Sequence, residues 1–312
     1  MIEVETIIAE PQSERSIAVL QVVPRLVTGG VERGTIDLAA ALAAHGWSSF
    51  VASAGGPMVR EIERAGAHHV ALPLASKNPL VMRANAARLA RLIRANAIDI
   101  VHARSRAPAW SALGAARRTG ARFVTTFHNA YGANGWLKRR YNSIMAKGER
   151  VIAISEFVAR HAALTYGIEP ERLRIVPRGI DLVRFDPVRT TPDRMVRLAR
   201  ECGLPDGVPV VLLPGRLTRW KGHDVLFEAL RRLGRSELHC LVVGSGAPRY
   251  RRELEASLAT LPLPCSFALV EDCRDMAALY MLADVVVSAS TEPEGFGRIA
   301  VEAQAMGRPV IA

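Results

Sequence analysis

Short runs of β-branched and apolar residues alternate with longer amphipathic stretches along the whole chain, and that alternation leaves few folds open. Ser16–Val23, Ser48–Ala52, His68–Leu72, Ile98–His102, Arg122–Phe127 and Arg150–Ile154 have the length and apolar character of strands buried on both faces. Between them, Glu32–His45, Leu80–Asn96 and Ala107–Thr119 read as helices, and Ser155 as the N-cap of another. Parallel neighbours need crossover connections, so the pattern predicts parallel sheets with helices on both faces. Pro177, Gly179 and Asp186-Pro187 mark a linker. A second alternation follows, with strands Val208–Leu213, Leu238–Val243, Cys265–Leu269 and Ala283–Ser288 and helices such as Lys221–Leu233 and Arg274–Leu282. The expected fold class is α/β, with two Rossmann-like parallel-sheet domains facing across a cleft. Residues 1–187 form the first domain with its linker, and 188–312 the second.

A chain of 312 residues with 49% hydrophobic composition suits two domains with sizeable cores. No run of eighteen apolar residues occurs, so no bilayer span is expected, and the first ten residues lack the basic start of a secretory signal. Cys202, Cys240, Cys265 and Cys273 lie far apart, with neither zinc spacing nor a disulfide framework, and read as ordinary buried thiols of a reducing cytoplasm. Of the net charge of +11, residues 1–187 carry +10 and residues 188–312 carry +1. Two readings stand open: an Arg-rich genomic composition, or a first half that meets phosphates or an anionic lipid surface. Nucleic acid is not expected as a partner, because no binding motif is visible and aromatics are only 5%.

The chemistry concentrates between Thr291 and Ala312. Glu294 and Glu302 stand with seven residues between them, across a Gly295-Phe296-Gly297 turn that leads into a helix over Arg298–Met306. Eight residues of helix rise about 12 Å, roughly the distance from sugar to ribose in an extended nucleotide sugar. The free amides at the helix start face the diphosphate between them. Arg216 and Lys221, after the Val208–Leu213 strand, supply compensating positive charge: arginine grips phosphate oxygens bidentately, lysine acts as a movable point charge. Gly215 and Gly222 allow close backbone approach. Gly29-Gly-Val-Glu-Arg-Gly34 follows the first strand but is not Gly-x-Gly-x-x-Gly, and no acidic residue ends the second strand, so a dinucleotide site is not indicated.

The 294–302 element closely resembles the Glu-x7-Glu motif of the family 4 retaining glycosyltransferases, which have the two-domain GT-B fold. Leu213-Pro-Gly-Arg-Leu-Thr-Arg-Trp-Lys-Gly-His-Asp-Val-Leu226 is similar to that family's phosphate-binding strand, loop and helix, and Ile175–Pro187 to its interdomain linker. Thr28-Gly-Gly-Val-Glu-Arg33 resembles its glycine loop, and Thr126-Phe-His-Asn129 its active-site histidine strand. These matches follow the family's order over most of the chain. The family ordinarily continues for several more elements, including a helix that returns to the first domain. The second domain is therefore expected to be incomplete here, as a fragment or as a truncated member.

The resemblance implies a role for each residue. Glu294 holds sugar hydroxyls, or else is a helix-start carboxylate that complements the dipole. Glu302 accepts the ribose hydroxyls, or else is a structural glutamate bonded to backbone; Ile299, Val301 and Ala303 around it imply burial, and a buried carboxylate needs donors. Arg216 and Lys221 stabilise the leaving diphosphate, or else form a solvated basic loop, with Arg219 the more solvated neighbour. Gly29 and Gly30 place amides beside donor phosphates or acceptor, or make a simple tight turn. His128 positions the sugar and stabilises the transition state and need not be nucleophile or base, or else is a structural histidine at a strand end. His102, Arg104 and Arg106 are lesser candidates for acceptor contacts. The basic segment Trp136–Gly148 is either an ordinary helix with a solvated face or a contact with an anionic inner-membrane surface or lipid-linked acceptor.

The expected activity is transfer, with retention, from a nucleotide-diphosphate sugar to a cell-envelope glycan or glycolipid, with the lipopolysaccharide core as one acceptor. The nucleotide sugar is co-substrate, and neither cofactor nor divalent metal is expected, because the second half offers no Asp-x-Asp. The alternatives are a non-catalytic nucleotide-sugar-binding module and a GT-B-fold epimerase. A phosphorylase would need a pyridoxal-phosphate lysine, and Lys221, the one lysine of the second half, lies in the wrong kind of element.

Overall fold

The computed structural model describes residues 16–27, 29–132, 135–271 and 273–312. By its contacts the chain divides into two units, Met1–Val176 and Pro177–Ala312.

The first unit carries strands β1 (Ala18–Val22), β2 (Ser48–Ser53), β3 (His68–Ala71), β4 (Ile100–Ala103), β5 (Arg122–Phe127), β6 (Arg150–Ala153) and β7 (Leu173–Ile175). They pair, all parallel, in the order β3-β2-β1-β4-β5-β6-β7. Every residue of β1 is buried, as a central strand covered on both faces requires. Helices Gly30–Ala44, Pro79–Ala95, Arg106–Thr119 and Glu156–Tyr166 make the main crossovers. Ser155 caps the last of these, its hydroxyl accepting from the Val158 amide at 3.2 Å.

One strand was hidden in the sequence. β7 ends at Ile175, where the linker reading begins, and pairs with β6 at the sheet edge. It is three residues long with Arg174 in the middle, too short and too polar to announce itself. Just before it, the Arg172 guanidinium donates to the carbonyls of Ala146 and Gly148.

The second unit carries β8 (Val210–Pro214), β9 (His239–Val243), β10 (Ser266–Val270), β11 (Val285–Val287) and β12 (Val310–Ile311), parallel in the order β10-β9-β8-β11-β12. β8 and β9 are buried throughout. The linker residues Ile180 and Phe185 pack into this unit's core with Leu212, Leu241 and Tyr280. The predicted 221–233 helix starts later, at His223, because Arg219–Lys221 form a 3-10 turn that Gly222 ends in the left-handed region. The helix predicted from Arg274 starts at Met276, where the Asp275 carboxylate accepts from the Ala278 amide at 3.1 Å and also binds the Arg194 guanidinium. Cys202, Cys240 and Cys265 are buried as expected, whereas Cys273, in the loop before the Met276–Leu282 helix, is only half-buried. No helix among the described residues is long and apolar enough to cross a membrane.

Both sheets reverse their winding once, β1 against β4 and β8 against β11. In open α/β sheets such switch points leave a crevice at the carboxyl ends of the strands, where ligands bind. At the second one the backbones meet closely. A Cβ on Gly222, where φ is +70°, would lie 1.7 Å from the Ala289 carbonyl oxygen, whereas one on Gly234, at φ +66°, would meet nothing within 4 Å. Thermal unfolding checks this difference. Gly234→Ala should cost about 1–2 kcal/mol, the left-handed penalty alone. Gly222→Ala should cost roughly twice that or more, since the β11 loop must also move.

Candidate active site

In the second unit the loop after β8 and the loop after β11 form one hydrogen-bonded layer. The Thr291 amide donates to the Trp220 carbonyl at 2.8 Å, beside the Gly222–Ala289 approach. The loop after β8 is also fastened to β9's end, Gly215 N to Val243 O at 2.8 Å and Leu217 N to Ser245 O at 2.9 Å. Gly244 permits this, because a Cβ there would sit 1.8 Å from the Gly215 carbonyl oxygen.

This layer delivers Lys221 to Glu294. The Lys221 ammonium lies 2.5 Å from Glu294 Oε1, and the Ser290 hydroxyl donates to that same oxygen at 2.5 Å. Lys221 is only 8% exposed, with its ammonium 4.5 Å from the Trp220 ring centroid and its methylenes against Gly215. The solvated-loop alternative is therefore wrong for Lys221. A buried ammonium needs a compensating carboxylate, and Glu294 is the one beside it. Arg216 is exposed, with no carboxylate paired to it among the described residues. Arg219 is exposed and paired with Glu253 at 2.5 Å, as its solvated reading anticipated. Glu292, the competing glutamate, is exposed, whereas Glu294 is half-buried.

Gly295 and Phe296 are half-buried, and Gly297, at φ +75°, is the left-handed N-cap of the Arg298–Ala305 helix. No side chain caps that helix start, which leaves its first turn for an anion. Glu302, within this helix, is buried as expected, and its donors are side chains: Tyr280 Oη to Oε2 at 2.9 Å and Arg298 Nε to Oε1 at 3.1 Å. Ser290, Trp220, Tyr280 and Arg298 were missed in the sequence. Arg298 precedes Glu302 by four residues, a helical ion-pair spacing that was readable; Tyr280 is 22 residues away and was not.

The first unit arranges its candidates along the carboxyl ends of β1, β4 and β5. Thr28 lies outside the described residues. Gly29 caps the Gly30–Ala44 helix, and Gly30 opens it. A Cβ on Gly29 would fall 2.4 Å from Glu32 Oε2, so the glutamate folds back over the helix start. His128 follows β5 directly and is half-buried. The loop after it is held by Tyr131, whose ring stacks on Phe127 at 5.2 Å and under the Arg106 guanidinium at 4.5 Å. The Tyr131 carbonyl accepts from Tyr166 Oη at 3.2 Å and bonds His161 Nε2 at 3.0 Å.

The lesser candidates are committed inside the protein. His102 is buried, 2.7 Å from Thr126 Oγ1. Burial, then the nearby Arg104 charge, hold its pKa well below the usual histidine range, so it stays neutral. Arg104 is also buried, and Arg106 donates to Asn142 Oδ1 at 3.0 Å. In the basic segment, Trp136 and Leu137 are 72% and 64% exposed while Ile144, Met145 and Ala146 are buried. Among the described residues, no group of three His, Cys, Asp or Glu side chains is placed to hold a metal ion.

Two family descriptions match the chain in succession: Glycosyltransferase Family 4 over residues 28–184 and Glycosyl transferases group 1 over residues 197–312. A glycosyltransferase from Rickettsia africae, known as a crystal structure, is 40% identical with a TM-score of 0.84; the match covers 95% of this chain and 79% of that one. A D-inositol 3-phosphate glycosyltransferase of Xylanimonas cellulosilytica is 36% identical over 178 residues, covering 54% of this chain and 41% of that protein. A GDP-mannose-dependent monoacylated alpha-(1-6)-phosphatidylinositol monomannoside mannosyltransferase of Corynebacterium glutamicum is 28% identical, covering 72% of this chain and 61% of the other. The chain thus spans less than two thirds of the length of these last two relatives. With both domains matched in order and both parallel sheets present, the chain belongs to the family 4 glycosyltransferases of GT-B fold.

Proposed function

We propose that this chain carries the site of a retaining glycosyltransferase that moves a sugar from a nucleotide-diphosphate sugar to a cell-envelope glycan or glycolipid, without a divalent metal. The observation that carries the reading is the Lys221–Glu294 pair at the switch point of the second sheet, beside Arg216 and an uncapped helix start. A buried cation, an exposed arginine in the same loop and an uncapped helix start support a diphosphate site, and in this reading Glu294 accepts sugar hydroxyls.

In this reading the donor's C1–phosphate oxygen bond breaks while negative charge grows on the leaving diphosphate. Arg216, Lys221 and the helix start stabilise that charge, the work a magnesium ion does in metal-dependent sites. The acceptor hydroxyl bonds to C1 on the same face, and its proton passes to the leaving phosphate oxygen, so configuration is retained. Glu294 fixes the sugar, Glu302 the ribose, and His128 positions the transferred sugar by family resemblance. Gly29 and Gly30 offer amides to donor phosphates or acceptor.

A relative named for a phosphatidylinositol monomannoside supports a glycolipid acceptor, whereas the relatives named for D-inositol 3-phosphate name a small soluble one. A fold neighbour, WaaG, is described as a glycosyltransferase involved in lipopolysaccharide biosynthesis; at 20% identity and a TM-score of 0.70 it supports the fold only. Exposed Trp136 and Leu137 beside Lys138, Arg139 and Arg140 suit an anionic inner-membrane surface presenting a lipid-linked acceptor from the cytoplasmic side.

Single-turnover transfer from radiolabelled nucleotide sugars onto envelope glycolipid tests the reading. Transfer, measured at a temperature where the variant stays folded, should survive excess chelator and fall at least about 100-fold in Glu294→Gln, which should also lower the melting temperature because Lys221 is left buried without its anion. Donor binding without transfer would favour a nucleotide-sugar-binding module, and collapse in chelator with recovery on added magnesium would overturn the metal-free site.

Calorimetry separates the two basic residues. Arg216→Ala should weaken nucleoside diphosphate binding by about 1.5–3 kcal/mol, leave nucleoside binding unchanged and leave the melting temperature unchanged. Lys221→Ala should weaken diphosphate binding comparably and also lower the melting temperature, because Glu294 loses its cation in a half-buried site. Equal losses for nucleoside and diphosphate would show that neither residue holds phosphate.

A further inference from the structure

Tyr280 lies on the Met276–Leu282 helix, fully buried, its ring against Phe185 at 6.0 Å between centroids. A phenylalanine would fill that core position as well. The hydroxyl is the costly part, since a buried hydroxyl without a partner is strongly unfavourable. Its partner is Glu302 Oε2 at 2.9 Å. Burial, then the charge and hydrogen bond of Glu302, push the Tyr280 pKa far above the usual phenol range, so the group donates at any working pH. Arg298, one turn before Glu302, donates through Nε to Oε1 at 3.1 Å, with its side chain 14% exposed and that of Glu302 11% exposed.

One donor on each oxygen fixes the carboxylate in rotation as well as in place. A carboxylate offers about four lone-pair sites, so this clamp leaves acceptor capacity on both oxygens. A carboxylate meant only to balance Arg298 would not need a second, buried donor from another helix.

We infer that Tyr280 and Arg298 are positioning residues that hold the Glu302 carboxylate in the plane in which it accepts the hydroxyls of the nucleotide ribose. This rests on the reading of Glu302 as the ribose ligand. Neither residue need touch the donor for its loss to blur recognition of the ribose.

The test is the affinity ratio between a ribonucleotide and its deoxy analogues. UDP, GDP and ADP are titrated into the chain by calorimetry, and the one bound most tightly is compared with its 2′-deoxy and 3′-deoxy forms. The unaltered chain should favour the ribonucleotide by about tenfold or more. In Tyr280→Phe, and independently in Arg298→Gln, the ratio should fall to about threefold or less, the size of one weak hydrogen bond. A purely structural role would change the melting temperature and scale all three affinities together without moving the ratio. Should Tyr280→Phe not fold, the Arg298→Gln ratio decides. Full discrimination in both variants overturns the positioning role while the ribose reading stands. No discrimination in the unaltered chain overturns the ribose reading, and this inference with it.

Discussion

One oxygen atom, Glu294 Oε1, receives both the Lys221 ammonium and the Ser290 hydroxyl at 2.5 Å, and the geometry of the second unit's candidate site depends on that meeting. Lys221 comes from the loop after β8, Glu294 and Ser290 from the loop after β11. An ammonium that is 8% exposed is stable only beside an anion, so the pair ties the two loops electrostatically where backbone contacts already tie them sterically. In the proposed function, with Oε1 carrying two donors, Oε2 is the oxygen that takes a sugar hydroxyl. In the proposed function the pair also has a switching consequence: a diphosphate competes with Glu294 for Lys221, while the sugar hydroxyls give Glu294 replacement donors. The charges then stay compensated as the donor enters.

The pair forms because the fold brings its partners to the same place. Winding β8 next to β11 leaves the two loops adjacent at the sheet's carboxyl edge. Glycines at 222 and 244 then remove the Cβ atoms that would hold the backbones apart. The first unit repeats the arrangement with β1 beside β4, and again the glycine turn at 29–30 sits at the reversal. What differs is the commitment of polar groups. His102 is neutral and bonded inside the sheet, and Arg106 is tied to Asn142 and Tyr131. Their work there is to shape the neighbourhood of His128.

Much of this was legible in the sequence. β5 runs over Arg122–Phe127, residue for residue as read, in a β-branched and aromatic run set between the Gly120 helix stop and His128-Asn129. Glu302 was readable as buried from its apolar neighbours, and Glu294 was distinguishable from exposed Glu292 by its place before Gly-Phe-Gly. What escaped has physical reasons. β7 is an edge strand of three residues, below the length at which periodicity is detectable. The burial of Lys221 follows from a contact across 73 residues, which no local pattern encodes. The second donor on Glu302 likewise arrives from a different helix, on a tyrosine that local sequence presents as plain core.

The central claim is that Lys221 exchanges Glu294 for the donor's diphosphate. A crystal structure of the chain soaked with a nucleoside diphosphate tests it most directly. Lys221 Nζ should lie about 2.7–2.9 Å from a β-phosphate oxygen, as a charge-assisted bond does. Its separation from Glu294 Oε1 should have grown beyond about 4 Å, the limit of an ion pair. A nucleotide bound with Lys221 still on Glu294 and no phosphate contact, or bound away from residues 214–222, would contradict it.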